Sequence, residues 1–183
     1  MEYFANIARE IQGHVIPLPG INGFDYLTYE PYGVVGAITP WNFPLHLSTR
    51  AMCPAIAAGN TVVLKTSSLA PITTSLMGEV LMEAGFPAGV VNIISGSGRI
   101  AGEAIASHRD VRMITFTGSE NIGRHILELS SKSAIIKKTI MELGGKGAFI
   151  AEPDCDLSSA VNSVITGFCL NQGEVCCAST RLY

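Results

Sequence analysis

Between Gly33 and Glu152 the chain repeats one pattern, and that pattern narrows the possible folds more than any other feature. Short apolar runs alternate with segments of helical period. The runs are "GVVGAIT" (33–39), "TVVLKT" (61–66), "GVVNIIS" (89–95), "RMITFTG" (112–118), "KTIMEL" (138–143) and "GAFIAE" (147–152). They are apolar throughout rather than alternating, as strands buried on both faces are. Between them lie predicted helices over 45–60, 71–85, 99–107 and 119–132, with a further one over 157–172. Pro71 opens one and Gly85 closes it, and Gly59-Asn60 stops another. Pro54 is expected to kink or split the helix over 45–60. Strands alternating with helices in this way predict an α/β fold, a doubly wound and mostly parallel sheet with helices on both faces.

The flanks read differently. Phe4, Ile7 and Ile11 fit one face of a first helix. A polar link, "GHVIPLPGINGFD", follows it. At the far end, "CCASTRLY" reads as the start of a strand that ends unpaired, an aggregation hazard.

Composition removes several function classes. Hydrophobic residues at 48% and charged residues at 15% supply a packed core. The net charge is −3, and no cationic run exceeds Lys137-Lys138, so neither a nucleic acid nor a membrane surface is an expected partner. The opening residues lack the apolar core of a secretory signal. Five cysteines without a CxxC pair point to free thiols in a reducing, cytoplasmic setting. The four histidines have no ligand spacing, and no metal site is expected.

Parallel sheets bind ligands beyond the carboxyl ends of their strands, so the residues just past each run carry the chemistry. "GSGRIAG" (96–102) holds the Gly96-x-Gly98 of a dinucleotide loop, but its third glycine is one residue late. An ordinary glycine-rich turn explains it about as well. Gly118 and Ser119 follow a strand and open a helix, where Ser119 can cap the helix or donate to a phosphate. Gly123, inside that helix, costs about 1 kcal/mol relative to Ala, which suggests another backbone or a ligand close by. Lys65 ends an apolar strand; taken alone, it is read as snorkelling to solvent. Asn42, between Trp41 and Phe43, is either a turn asparagine or an amide aimed at an oxyanion. Glu142, before Gly144-Gly145, is either a solvated strand-end acid or a general base. Cys176 follows the Gly173 turn at the mouth of the sheet, which distinguishes it from packing cysteines such as Cys53 and Cys169.

Taken in order, "PWNFP", "GNTVVLK", "FTGS", "ELGGK" and "NQGEVCC" resemble the aldehyde dehydrogenase superfamily over nearly the whole chain. The resemblance implies a Rossmann-like cofactor domain over 34–143, the start of a second α/β catalytic domain over 144–183, and a linking, oligomerisation-type segment over 1–33. It implies that Cys176, three residues after Gly173, attacks an aldehyde, with Cys177 only its neighbour. Asn42 and the backbone N–H of Cys176 would hold the oxyanion of the thiohemiacetal, hydride would pass to NAD or NADP, and Glu142 would activate water against the thioester. Trp41, Lys65, Gly98, Gly118, Ser119 and Gly123 would line or shape the cofactor cleft. Ser68 stands where many NAD-preferring relatives carry a glutamate, so NADP should be tolerated. Family members are more than twice this length and are expected to be homodimers or homotetramers, so the 183-residue chain is expected to be inactive alone. Two alternatives stand beside this one: a branch that passes the acyl group to coenzyme A, and a truncated, non-catalytic nucleotide-binding chain.

Overall fold

The computed structural model describes residues 1–183. Five strands build one parallel sheet: β3 (Val34–Ile38), β4 (Thr61–Lys65), β5 (Val91–Ile94), β6 (Val111–Thr117) and β7 (Lys138–Glu142). Their order across the sheet is β5-β4-β3-β6-β7. The chain starts in the centre at β3, steps outward twice, then crosses back to β6 on the other side. Ile38 is paired with Lys65 on one flank and with Phe116 on the other. The strand order therefore reverses at β3 and β6, where side chains beyond the carboxyl ends diverge and leave a crevice.

Crossovers between parallel strands are right-handed, so reversing the order sends the two helix pairs to opposite faces. Helices α2 (Pro44–Ala57) and α3 (Pro71–Glu83) cover one face. There Ala37, Val62 and Leu64 pack against Met52, Met77 and Leu81. Helices α4 (Glu103–Ser107) and α5 (Glu120–Ser131) cover the other. There Ile38, Ile114 and Phe116 meet Ile105, Ala106 and Ile126. Ala37 and Ile38 face opposite layers because successive strand residues alternate. Each fully buried aliphatic chain, such as Leu64 or Ile114, contributes about 1.5–3 kcal/mol. Gly36 lets α4 sit tight on the central strand: a Cβ there would come within 2.3 Å of the Ile105 side chain.

The carboxyl end of β3 is braced by buried hydroxyls. Thr39 donates to the Lys65 carbonyl at 3.1 Å. Ser48 donates to Thr39 and lies 3.3 Å from the Thr74 hydroxyl, which donates to the Pro44 carbonyl. Every member is partnered, so burial carries little penalty and the ends of α2, α3 and β3 are locked together.

Several expectations needed correction. Pro54 neither splits nor ends α2; it lies within its last turn, and the helix runs on to Ala57 before Gly59 (φ 81°) and Asn60 stop it. The first helix, α1 (Glu2–Ile7), ends before Ile11. The link after it holds an antiparallel pair, β1 (His14–Ile16) with β2 (Asp25–Leu27), too short for any period to be read. The segment at 99–107 opens as a wide π-type turn, Gly98–Gly102, before α4. Finally, "CCASTRLY" is paired: β9 (Ser179–Leu182) lies parallel to β8 (Gly147–Phe149), beside α6 (Leu157–Cys169). No helix is long and apolar enough to cross a membrane.

Candidate active site

Three chain segments converge at the reversal point. Residues 40–42 follow β3, 117–119 end β6, and 142–144 end β7. With residues 174–176 they line one cleft of about 310 Å³. Asn42, Glu142 and Cys176 all border it. Cys177 is also exposed but is not among the lining residues.

Cys176 is delivered by the β8–β9 pairing. β8 begins five residues after Glu142, and β9 begins just past Cys177, so pairing them lays the nucleophile candidate beside the Gly144-Gly145 turn. A Cβ at Gly145 would lie 3.2 Å from the Cys176 carbonyl oxygen, and one at Gly147 would lie 3.0 Å from that of Ala178. Arg181 adds a bond to the Lys146 carbonyl at 2.7 Å.

The approach to Cys176 has an unusual backbone. Asn171 (φ 48°), Gln172 (φ 58°) and Gly173 (φ 79°) are all left-handed, and the first two are the only non-glycine residues with positive φ. Asn171 donates its side-chain N–H to the Asn42 carbonyl at 3.0 Å. Asn42 in turn donates its side-chain N–H to the Glu174 carbonyl at 2.7 Å. Sequence reasoning missed Asn171, although an asparagine two residues before a glycine is a turn signal, since Asn tolerates this conformation best.

Glu142 has one side-chain partner. Arg50 on α2 places its Nη2 2.6 Å from Glu142 Oε1. The sequence carried no sign of this pair, because its members lie 92 residues apart. Both also line a second cavity of about 280 Å³ beneath α2, bordered by Tyr32 and Asn60, so Glu142 stands between the two spaces.

The cofactor candidates divide into groups. Trp41, Gly118 and Ser119 border the cleft itself. Ser119 occupies the cap position of α5, yet its hydroxyl makes no capping bond, leaving it and the first helical N–H groups free for an anion. Lys65 does not snorkel: it is 4% exposed and donates to the Thr66 carbonyl at 2.8 Å. Burial pushes its ammonium below the ordinary lysine range. Ser68 is exposed past β4, and Gly98 is exposed in the turn past β5. Gly123 is buried, and side chains rather than another backbone press on it. A Cβ there would meet the Leu143 side chain at 2.8 Å and Phe116 at 3.5 Å. An uncapped serine at a helix start, open glycine turns and a cation at a strand end fit a dinucleotide lying across the reversal point.

Comparison with known proteins bears on the family and the fold. The model of the aldehyde dehydrogenase family matches residues 1–183. An aldehyde dehydrogenase of Enchytraeus buchholzi is 47% identical over all 183 residues, which make up 36% of that protein. The crystal structure of PnpE in complex with nicotinamide adenine dinucleotide superposes with a TM-score of 0.93 at 45% identity, covering 98% of this chain and 36% of the other. An NADP-dependent enzyme of E. coli gives a TM-score of 0.95 at 41% identity, covering 100% of this chain and 37% of the other. The chain thus spans just over a third of the length of the relatives it matches. With the match running over every residue and the fold superposing throughout, this chain belongs to the aldehyde dehydrogenase family.

Proposed function

We propose that this chain carries the reactive centre of an NAD- or NADP-dependent oxidation of an aldehyde to a carboxylic acid. The observation that supports it is the convergence of Asn42, Glu142 and Cys176, from three distant parts of the sequence, on one cleft at the strand-order reversal.

The Cys176 thiolate attacks the aldehyde carbonyl carbon. A C–S bond forms and the carbonyl electron pair moves onto oxygen. The Asn42 side-chain amide has two N–H groups; one donates to the Glu174 carbonyl, and the second is left for that oxyanion, together with the backbone N–H of Cys176. When bound, the nicotinamide ring supplies the hydride acceptor that oxidises the adduct to a thioester. Glu142 then takes a proton from water, whose oxygen attacks the thioester carbon. The C–S bond breaks and Cys176 departs as a thiolate.

On this reading residues 34–143 form the cofactor domain, 144–183 begin the catalytic domain, and 1–33 belong to the surface joining subunits of a homodimer or homotetramer. Trp41, Lys65, Ser68, Gly98, Gly118 and Ser119 face the cofactor, and Gly123 shapes the helix behind it. The 183-residue chain alone turns over little or no aldehyde. The test is mass spectrometry of the complete polypeptide trapped with a slowly turned-over aldehyde. An adduct on Cys176 is expected; an unmodified Cys176 overturns the reading, and acyl-CoA formation with Glu142 intact assigns the thioester to a different acceptor.

A further inference from the structure

The loop leading to Cys176 contains a feature the reaction above does not use. Asn171 and Gln172 hold left-handed backbone, a conformation that residues with side chains rarely adopt and that is more strained for Gln than for Asn. Such strain persists only where the surroundings over-determine it. Here the surroundings include a bond between loops 129 residues apart, from the Asn171 side-chain N–H to the Asn42 carbonyl. The return bond, from the Asn42 side chain to the Glu174 carbonyl, spans 132 residues. Asn42 is therefore gripped twice by the loop carrying Cys176, once at its backbone and once at its amide.

We propose that Asn171 is a positioning residue that sets the oxyanion-binding amide of Asn42 relative to Cys176. The inference rests on the proposed function, since it gives Asn42 that role. Few residues meet both demands at position 171. The backbone must be left-handed, which Gly, Asn and Asp tolerate. The side chain must also donate to the Asn42 carbonyl, 3.0 Å away, which among these only Asn does. Asp would set a carboxylate against the Asn42 carbonyl, and Gly would relax the backbone but leave that carbonyl without its partner. Gln172, by contrast, has the same backbone conformation with no side-chain bond to Asn42, so it separates strain from positioning.

The experiment compares N171G, N171D, Q172G, N42A and the N42A/N171G double variant in the complete enzyme, reading the pre-steady-state burst of NAD(P)H with aldehyde. N171G and N171D are each expected to slow the burst about tenfold or more, as misplacement of a catalytic group does, while Q172G keeps it. In the N42A background N171G is expected to cost nothing further, because residues acting through one group are not additive. Alkylation of Cys176 by iodoacetamide, which forms no oxyanion, is expected to be unchanged in N171G. An additive loss in the double variant, or a parallel loss of alkylation, overturns the inference by making Asn171 a support for the loop as a whole. A full burst in N42A overturns the proposed role of Asn42 itself, whereas a loss in N42A with none in N171G overturns the positioning role alone.

Discussion

The guanidinium of Arg50 lies 2.6 Å from one carboxylate oxygen of Glu142, joining α2 to the end of β7. Their side chains are 46% and 44% exposed, so the pair adds only about 0–1 kcal/mol to stability. It leaves the second oxygen of Glu142 unpaired and available to water. Arg50→Gln is expected to leave the melting temperature almost unchanged. It should slow acid formation at saturating substrate while leaving the NAD(P)H burst intact. Stopped-flow traces alongside thermal melts check this, and a large fall in Tm would show the pair to be structural.

The two adjacent thiols should separate cleanly. Cys176→Ala is expected to lower turnover in the complete enzyme on the order of 10⁴-fold or more, as loss of a covalent nucleophile does. Cys177→Ala should retain turnover, because Cys177 does not line the cleft. Steady-state assays decide it: if Cys177→Ala is the dead variant, the nucleophile is misassigned.

Lys65 sits in an environment that disfavours its charge. Lys65→Met removes a buried ammonium and is expected to raise thermal stability while weakening NAD(P) binding about tenfold or more, the scale of a lost charge-assisted hydrogen bond. The pH dependence follows from the sign of the shift. The folded chain releases this proton more readily than the unfolded one, so the wild-type penalty is full below the folded pKa. It is relieved as pH rises through that value toward 10.5. The stability gap between Lys65→Met and wild type should therefore narrow at alkaline pH; denaturant melts across that range measure it.

Ser68 is exposed past the end of β4, close in sequence to Lys65. A serine there does not repel a 2′-phosphate, so the kcat/KM ratio of NADP over NAD should not fall far below one. Ser68→Glu should lower that ratio about tenfold or more, the scale of one unfavourable charge contact. A wild-type ratio far below one would reject the role given to Ser68.

The sheet was legible because its signal is local. Val34–Ile38 and Thr61–Lys65 are apolar runs bounded by turns, and burial on both faces demands that composition. Asn42 and Glu142 stood out at strand ends, and Cys176 stood out past the Gly173 turn. What could not be read are pairings set only by the folded chain. Arg50 with Glu142, and Asn171 with Asn42, join residues 92 and 129 apart. β8 was legible as part of the run at 147–152, but its pairing with β9 was not, because only the folded chain brings the two together. Lys65 went the other way: its ammonium finds the neighbouring Thr66 carbonyl and has no need of solvent. Gly123 was read for an approaching backbone or ligand, but Leu143 supplies a side chain that sequence could not place there.

The reciprocal bonds between Asn42 and the 171–174 loop also carry a temporal consequence. A polypeptide leaves the ribosome amino end first, and its early portions fold as they emerge. All five strands of the main sheet lie before residue 143, whereas the loop that grips Asn42 lies beyond residue 170. A nascent chain can therefore finish its scaffold while Cys176 is still being synthesised, and the proposed site is assembled only when the stretch carrying Cys176 docks.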